Sequence, residues 1–254
     1  MTLDGAKWVE AFQTMSLSAT IAVALAINIA MFVVSLAGGH FLIHRYGNRR
    51  CADPPPPLTG AEIVMSIICV ALNSAVLVAG VALLQHGWLR VIVEFPWWRP
   101  VVDVVVLTAA MDLAMYVLHR LAHWRRIYYW LHGPHHAHRH PRPLTLFVLH
   151  PAEVVGFGSL WLIVICVYPA SWLGMTLYLA LNLAFGTIGH LGVEPYPEGW
   201  TRNRWTKWIS TSSFHAGHHL TPEHNFGFYT TVWDAIFGTM APIDTTDSTD
   251  GHHV

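Results

Sequence analysis

Between residues 119 and 140 the chain reads HRLAHWRRIYYWLHGPHHAHRH, seven histidines in twenty-two positions at the end of an apolar run. Neutral imidazoles are common metal ligands, so a collection of them at one depth raises metal binding first. His119 and His123, in HRLAH, are spaced i, i+4, which sets both rings on one helix face. HGPHH contains His132, His135 and His136. Gly133 and Pro134 bend the chain there, so the adjacent rings need not point apart as in a regular helix. HAGHH repeats the H-x2-H-H spacing with His215, His218 and His219. One i, i+4 pair alone reads as an ordinary interfacial surface. The same spacing found twice, with the pair upstream, favours a metal site over a pH-sensing or structural cluster.

Eight histidines exceed what one ion accepts, since zinc usually takes four ligands and iron up to six. Two neighbouring metals are the simplest reading. An all-imidazole, thiolate-free set suits iron, zinc or copper, and ligand type alone does not choose among them. His190, in GHLGVE, ends an apolar run and is a candidate ninth ligand. Glu194, four residues on, either joins it or is a solvated turn carboxylate. Asp112 and Tyr116 lie on the stripe of His119, and a carboxylate at Asp112 could accept the free ring N–H of a ligand histidine. LHPAE places His150 and Glu153 at i, i+3, read as a hydrogen-bonded pair supporting the site. His138, His140 and His224 fall off the repeated spacing and read as neighbours. His40, His44 and His86 read as interfacial, and Asp103 receives no role.

These residues need a scaffold, and the composition says which. Of the 254 residues, 54% are hydrophobic and 11% charged. Soluble domains carry about a quarter charged residues, so the chain has too few to cover a water-facing surface. The implied architecture is all-α, an integral membrane helical bundle. Twelve Trp and eight Tyr suit membrane interfaces. A net charge of −1 gives no reason to invoke nucleic acid, and three scattered cysteines imply neither a disulfide framework nor a thiolate metal site.

A span needs about 20 apolar residues. Candidates are 17–38, 61–84, 101–118, 153–168 and 171–189, the last two forming a hairpin about Pro169; the count is four to five. The first has the length of a span rather than of a cleavable leader. DPPPPLTG (53–60) separates the first two and offers Thr59 as a helix cap. FPWWRP (95–100) reads as an interfacial turn. The expected organisation is one membrane-embedded domain over 1–254, with a histidine-rich core at 112–239 and a disordered tail at 240–254 that includes His252 and His253. Eleven of the fourteen basic residues (Arg45, Arg49, Arg50, Arg120, Arg125, Arg126, Arg139, Arg142, Arg202, Arg204 and Lys207) fall on the side of the histidine boxes. Lys7, Arg90 and Arg99 fall on the other. The positive-inside rule then places the boxes in the cytoplasm.

The boxes, in this order, resemble the membrane-bound fatty acid hydroxylase/sterol desaturase superfamily. Its pattern is H-x3-H or H-x4-H, then H-x2-H-H twice. DLAMYVLHRLAH, LHGPHH, LHPAE, GHLG and NFGFYTTVWDAIFGT are similar to its landmarks, so the resemblance covers 112–239. It implies a cytosol-facing di-iron centre that activates dioxygen to hydroxylate or desaturate a lipid C–H bond. By position it implies His119, His123, His132, His135, His136, His215, His218 and His219 as ligands, with His190 beside them. Some relatives carry a further histidine where this chain has Glu194. Asp112, His150, Glu153, Asn225 and Asp234 match positions with supporting roles. Zinc is the ion that mismetallation of a recombinant sample would introduce.

Electrons must come from outside. The sequence carries no flavin or nicotinamide fingerprint and no iron–sulfur cysteine pattern, which implies a separate ferredoxin or cytochrome-type donor. Arg120, Arg125, Arg126, Arg139 and Arg142 either offer that donor a basic face or only enforce topology. The rival readings are a histidine-rich metal transporter, which predicts ligands near the bilayer midplane in broken helices, and a metal-stapled scaffold without oxygen chemistry. A zinc hydrolase would need a motif such as HExxH, which is absent from the sequence.

Overall fold

The structure, a computed structural model, describes residues 5–242. Residues 243–254 of the expected tail, His252 and His253 among them, lie outside the described residues. Among the described residues four helices are long and apolar enough to cross a membrane: α2 (Leu17–Arg45), α3 (Gly60–Gln85), α4 (Arg99–Ala122) and α8 (Trp172–Gly189). α1 (Gly5–Thr14) precedes them. α7 (Pro151–Val167) is shorter, at 17 residues. Between α4 and α7 lie two single-turn helices, α5 (Tyr128–Leu131) and α6 (Gly133–His136), and a 3₁₀ turn at Pro143–Phe147. α9 (Ser212–Leu220) and α10 (Val232–Phe237) follow α8. The all-α bundle expected from composition is the architecture found.

Local chemistry sets the boundaries. Thr59 caps α3 as expected: its hydroxyl accepts the Glu62 N–H while the Glu62 carboxylate accepts the Thr59 N–H. Glu62 is buried, and Arg142 reaches it at 3.5 Å, tying the loop after the second box to the start of α3. α2 runs seven residues beyond the expected end at 38: Gly38 and Gly39 stay helical, no proline intervenes, and the helix ends at Tyr46, whose N–H donates to the Leu42 carbonyl.

The bundle has two ends. At one, the strands β1 (Val91–Ile92) and β2 (Ala170–Ser171) pair in parallel, an element that hydropathy did not reveal. Asp103 organises this end. Its carboxylate accepts from Arg99 Nε (2.8 Å), the Tyr168 hydroxyl (2.8 Å) and the Ser171 N–H and hydroxyl (2.8 and 2.6 Å). The residue left without a role is therefore the knot joining α4 to the α7–α8 turn. α7 runs from this knot to the opposite end, where Glu153 meets His132, so it traverses the bundle with the four longer helices. Asp103→Ala would strand these donors, each at roughly 1–3 kcal/mol when buried. The expected result is a loss of about 3 kcal/mol, read as a lowered unfolding temperature in detergent.

At the other end, α4 and α8 stop at His123 and His190, and the loops 46–59 and 190–211 meet through the Arg50–Val193 bridge. The histidine boxes gather there.

Candidate metal centre

Nine histidines form two groups, each with its potential ligand nitrogens within 4.8 Å of one another. His119, His123, His132, His136 and His218 make the first; His135, His190, His215 and His219 make the second. These are the nine positions singled out in the sequence. Among the described residues His40, His44, His86, His138, His140, His150 and His224 stand outside both groups.

Each H-x2-H-H box divides its adjacent pair between the groups. His136 and His218 belong to the five-histidine group, His135 and His219 to the four-histidine group. Successive residues on a helix point about 100° apart, and that divergence is used here. Gly133 and Pro134 leave the adjacent rings free not to point apart, and the structure does not use that freedom: the His135 and His136 ring centroids lie 5.8 Å apart with planes at 85°. α6 and α9 act as hubs between the two groups.

The rings are held by their outer nitrogens. Nδ1 of His119 donates to the Phe226 carbonyl (2.9 Å), His135 to Val148 (3.1 Å), His190 to Gly186 (2.7 Å) and His218 to His224 (2.6 Å). Nδ1 of His132 donates to the Glu153 carboxylate. Each bond fixes the tautomer and leaves Nε2 a bare lone pair aimed inward. His119 and His132 bring two such nitrogens within 3.1 Å, and His135 and His190 within 3.4 Å. His215 Nε2 lies 3.1 Å from His190 Nε2 and 3.2 Å from His219 Nε2.

Two lone pairs facing each other repel unless a cation lies between them. Nitrogens about 2.1 Å from a shared ion stand about 3.0 Å apart at right angles and about 3.4 Å apart at the tetrahedral angle. The spacings fit that range. The His123 and His218 Nε2 atoms and both His136 nitrogens are buried without a hydrogen-bond partner, a costly state that coordination would relieve. Burial also keeps the rings neutral, as a ligand must be: His123 is pushed down to about 2, His190 to about 4, and His132, His135, His215, His218 and His219 well below the ordinary histidine value. The donor set fits two metal ions.

Supporting residues differ from expectation in their partners. Glu153, not Asp112, supplies the carboxylate to a histidine of the groups. Its other oxygen accepts the His150 N–H, while the His150 ring caps α7 by accepting from Ala152 and lies against Trp130. The two residues do form a pair, through the His150 backbone. Glu194 lies outside both groups and is half-buried. It accepts the Ser213 N–H (2.9 Å) and hydroxyl (2.6 Å), anchoring the first turn of α9. Tyr116 bonds Thr239 (2.9 Å) and stacks on Phe237.

Asp112 holds the segment after the third box by accepting from Tyr229, Thr230 and Trp233. Asp234 accepts the N–H groups of Phe226 and Gly227 (2.8 and 2.7 Å). A Cβ on Gly227 would come within 2.1 Å of the Thr230 carbonyl, so only glycine fits that turn. Asn225 adopts the left-handed region (φ 62°), and its side chain bonds Phe214 and Ala241. The contribution that pattern reading missed is Phe226. Its carbonyl fixes His119, and its ring packs against His119, His123 and His218 at 5.7, 5.1 and 5.5 Å. The NFGFY landmark marked the segment without disclosing this role.

Arg120 and Arg142 are engaged within the chain, Arg120 with Tyr116 and Phe237, Arg142 with Glu62 and the Pro56 carbonyl. A small cavity with about 10 Å³ of room for a water-sized sphere adjoins the four-histidine group, lined by Phe185, Gly186, Thr211, Phe228, His190 and His215 among others.

Removing the Glu153 carboxylate should matter without removing a ring. Glu153→Leu is expected to weaken metal retention roughly 10- to 100-fold, with Glu153→Gln closer to the parent because its amide oxygen can still accept. Competition against a graded chelator reads this out. Equal retention in all three proteins would exclude the role.

A multi-pass helical bundle gathering two abutting sets of largely buried histidines at one end defines a membrane protein of the histidine-box type. The chain belongs to the fatty acid hydroxylase family, which it matches over residues 104–239. It is 29% identical over 154 residues to the lathosterol oxidase of Homo sapiens, covering 58% of this chain and 48% of that protein. It is 29% identical over 155 residues to a Delta(7)-sterol 5(6)-desaturase of Saccharomyces cerevisiae, covering 61% and 38%. To a very-long-chain aldehyde decarbonylase of Oryza sativa subsp. japonica it is 32% identical over 158 residues, covering 58% and 25%. The match thus spans about half the length of the lathosterol oxidase and less of the other two. No solved structure matches the chain.

Proposed function

We propose that this protein is a non-haem di-iron oxygenase that hydroxylates or desaturates a lipid C–H bond with dioxygen and two electrons from a separate ferredoxin or cytochrome-type donor. The observation that carries the reading is the pair of largely buried imidazole groups with their lone pairs directed at one another. The five-histidine group would hold one iron and the four-histidine group the other. When bound, they would supply the oxidant for an unactivated C–H bond, which amino-acid side chains lack.

The chain's own residues do the rest. Carbonyls of Phe226, Val148, Gly186 and His224 and the carboxylate of Glu153 hold five rings in one tautomer. Phe226 excludes water on one side of the first group. Phe185 and Phe228 make an apolar wall beside the second. The names of the relatives support a lipid substrate, and those of the human and yeast proteins favour a sterol. The basic residues at the histidine end argue that it faces the cytoplasm.

Hydroxylation consumes R–H, O2, two electrons and two protons, giving R–OH and water. Desaturation of a CH2–CH2 unit with the same inputs gives an alkene and two waters. Iron-loaded protein in proteoliposomes, given a chemical reductant, a membrane lipid extract and air, should produce lipid species heavier by one oxygen or lighter by two hydrogens. A lipid profile identical with and without protein would overturn the proposal. Because zinc can occupy imidazole sites, metal analysis accompanies the assay. Transport is disfavoured by position: the groups sit where α4 and α8 end, not at broken helices in mid-span.

A further inference from the structure

The chain beyond the third box does not stay above the helix ends. Asp112, which bonds Tyr229, Thr230 and Trp233, lies ten residues before the end of α4, about 15 Å down its axis. Tyr229 also bonds Asn182 (2.6 Å) and Tyr178 (2.7 Å) well inside α8. Residues 226–240 therefore return along the bundle, and the turn 205–209 comes with them. Thr231 bonds the carbonyls of Trp208 and Lys207, and Ile209 bridges Thr230.

The outward face of this returning segment is apolar. Ile236 is 62% exposed, Phe237 50% and Trp205 72%. Trp208, Val232, Ala235 and Ile236 line an open groove of about 430 Å³. Leu113, Val117 and Leu121 form an exposed stripe on α4. One residue round the helix from that stripe, Tyr116 and Arg120 touch Phe237. The apolar faces are thus neighbours on one side of the bundle. Beside the groove, Lys207 sits 4.5 Å over the Trp208 ring and Arg204 4.6 Å over that of Trp205. Exposed aromatics with cations stacked on them beside an apolar groove combine the two recognition elements of an anionic bilayer surface.

We propose that the turn 205–208 and α10 form an interfacial anchor embedded in the leaflet at the histidine end. The groove takes an acyl chain of an anionic phospholipid whose phosphate pairs with Arg204 and Lys207. The Asp112 tie holds the groove against α4, and the two cations beside it select the headgroup. The anchor stands independently of the metal reading.

The test uses the full chain in phosphatidylcholine nanodiscs doped with a diazirine-bearing phosphatidylglycerol or, separately, a phosphatidylcholine carrying the same chain. After irradiation, mass spectrometry maps the adducts. Peptides covering 205–208 and 232–240 should be labelled, the anionic probe exceeding the zwitterionic one. An Arg204→Ala, Lys207→Ala double variant should lose roughly 25-fold of that excess, since each basic residue near an anionic surface contributes about a five-fold bias. Unchanged labelling of α2 and α3 shows that the variant is folded. Labelled α2 and α3 with unlabelled 205–208 and 232–240 would assign the face to another occupant and overturn the anchor. Equal labelling by the two probes would overturn the headgroup selection.

Discussion

Replacing His135 by alanine is expected to remove one of two bound ions and to abolish turnover, while the chain remains folded and inserted. His135 belongs to the four-histidine group and touches His190 and His219. Losing one of four buried imidazoles leaves an ion without a closed set of nitrogen donors. His218→Ala should do the same to the five-histidine group, of which it is a fully buried member. The parent protein should carry about two irons per chain and each variant about one. Turnover should fall at least ~1,000-fold in both, since the two groups are expected to act as a unit. Metal analysis of protein purified in detergent and the lipid assay read these effects, with circular dichroism confirming the helices.

His138→Ala is the control. It lies in the same loop as the second box, outside both groups and 3.7 Å from Glu62, so its iron content and turnover should match the parent. One ion in the parent, or full turnover in His135→Ala or His218→Ala, would remove the two-ion assignment.

The positions of the nine histidines were legible because spacing is a local property. An i, i+4 pair and two H-x2-H-H boxes declare a shared face or a shared turn, and hydropathy places their helices at one end. The division of each adjacent pair between two groups was hidden, since it depends on what α6 and α9 pack against. Glu153 shows the same limit. Its link to His150 lies within one helical turn and was readable as a pair, whereas its bond to His132 crosses twenty-one residues. Asp103 gave no signal, because its partners come from the N-terminus of its own helix and from a turn nearly seventy residues later. Hydropathy found the spans and missed α1, whose ten residues are too mixed to read as a span, and the two-residue strands, which are too short to carry a period.

Asp112 separates two physical accounts of a buried carboxylate near the histidine groups. Were it to orient a ligand histidine, Asp112→Ala would loosen a metal and leave the fold intact. The structure instead gives it the Tyr229 and Thr230 N–H groups (3.1 and 3.2 Å), the Thr230 hydroxyl and the Trp233 indole N–H (3.1 Å). Truncation strands these donors on the returning segment, at roughly 1–3 kcal/mol for each that stays buried, so a loss of about 4 kcal/mol is expected. The segment should then open locally, and amides of 226–240 should exchange hydrogen at least ~100-fold faster than in the parent. Metal retention would fall as a consequence, because the carbonyls of His224 and Phe226 that hold His218 and His119 lie at the start of that segment. Asp112→Asn keeps one acceptor oxygen but presents N–H groups to donors, so it should fall between the two. Accelerated exchange preceding metal loss, followed by mass spectrometry, supports the tether. Metal loss with 226–240 still protected would return Asp112 to the role of histidine partner.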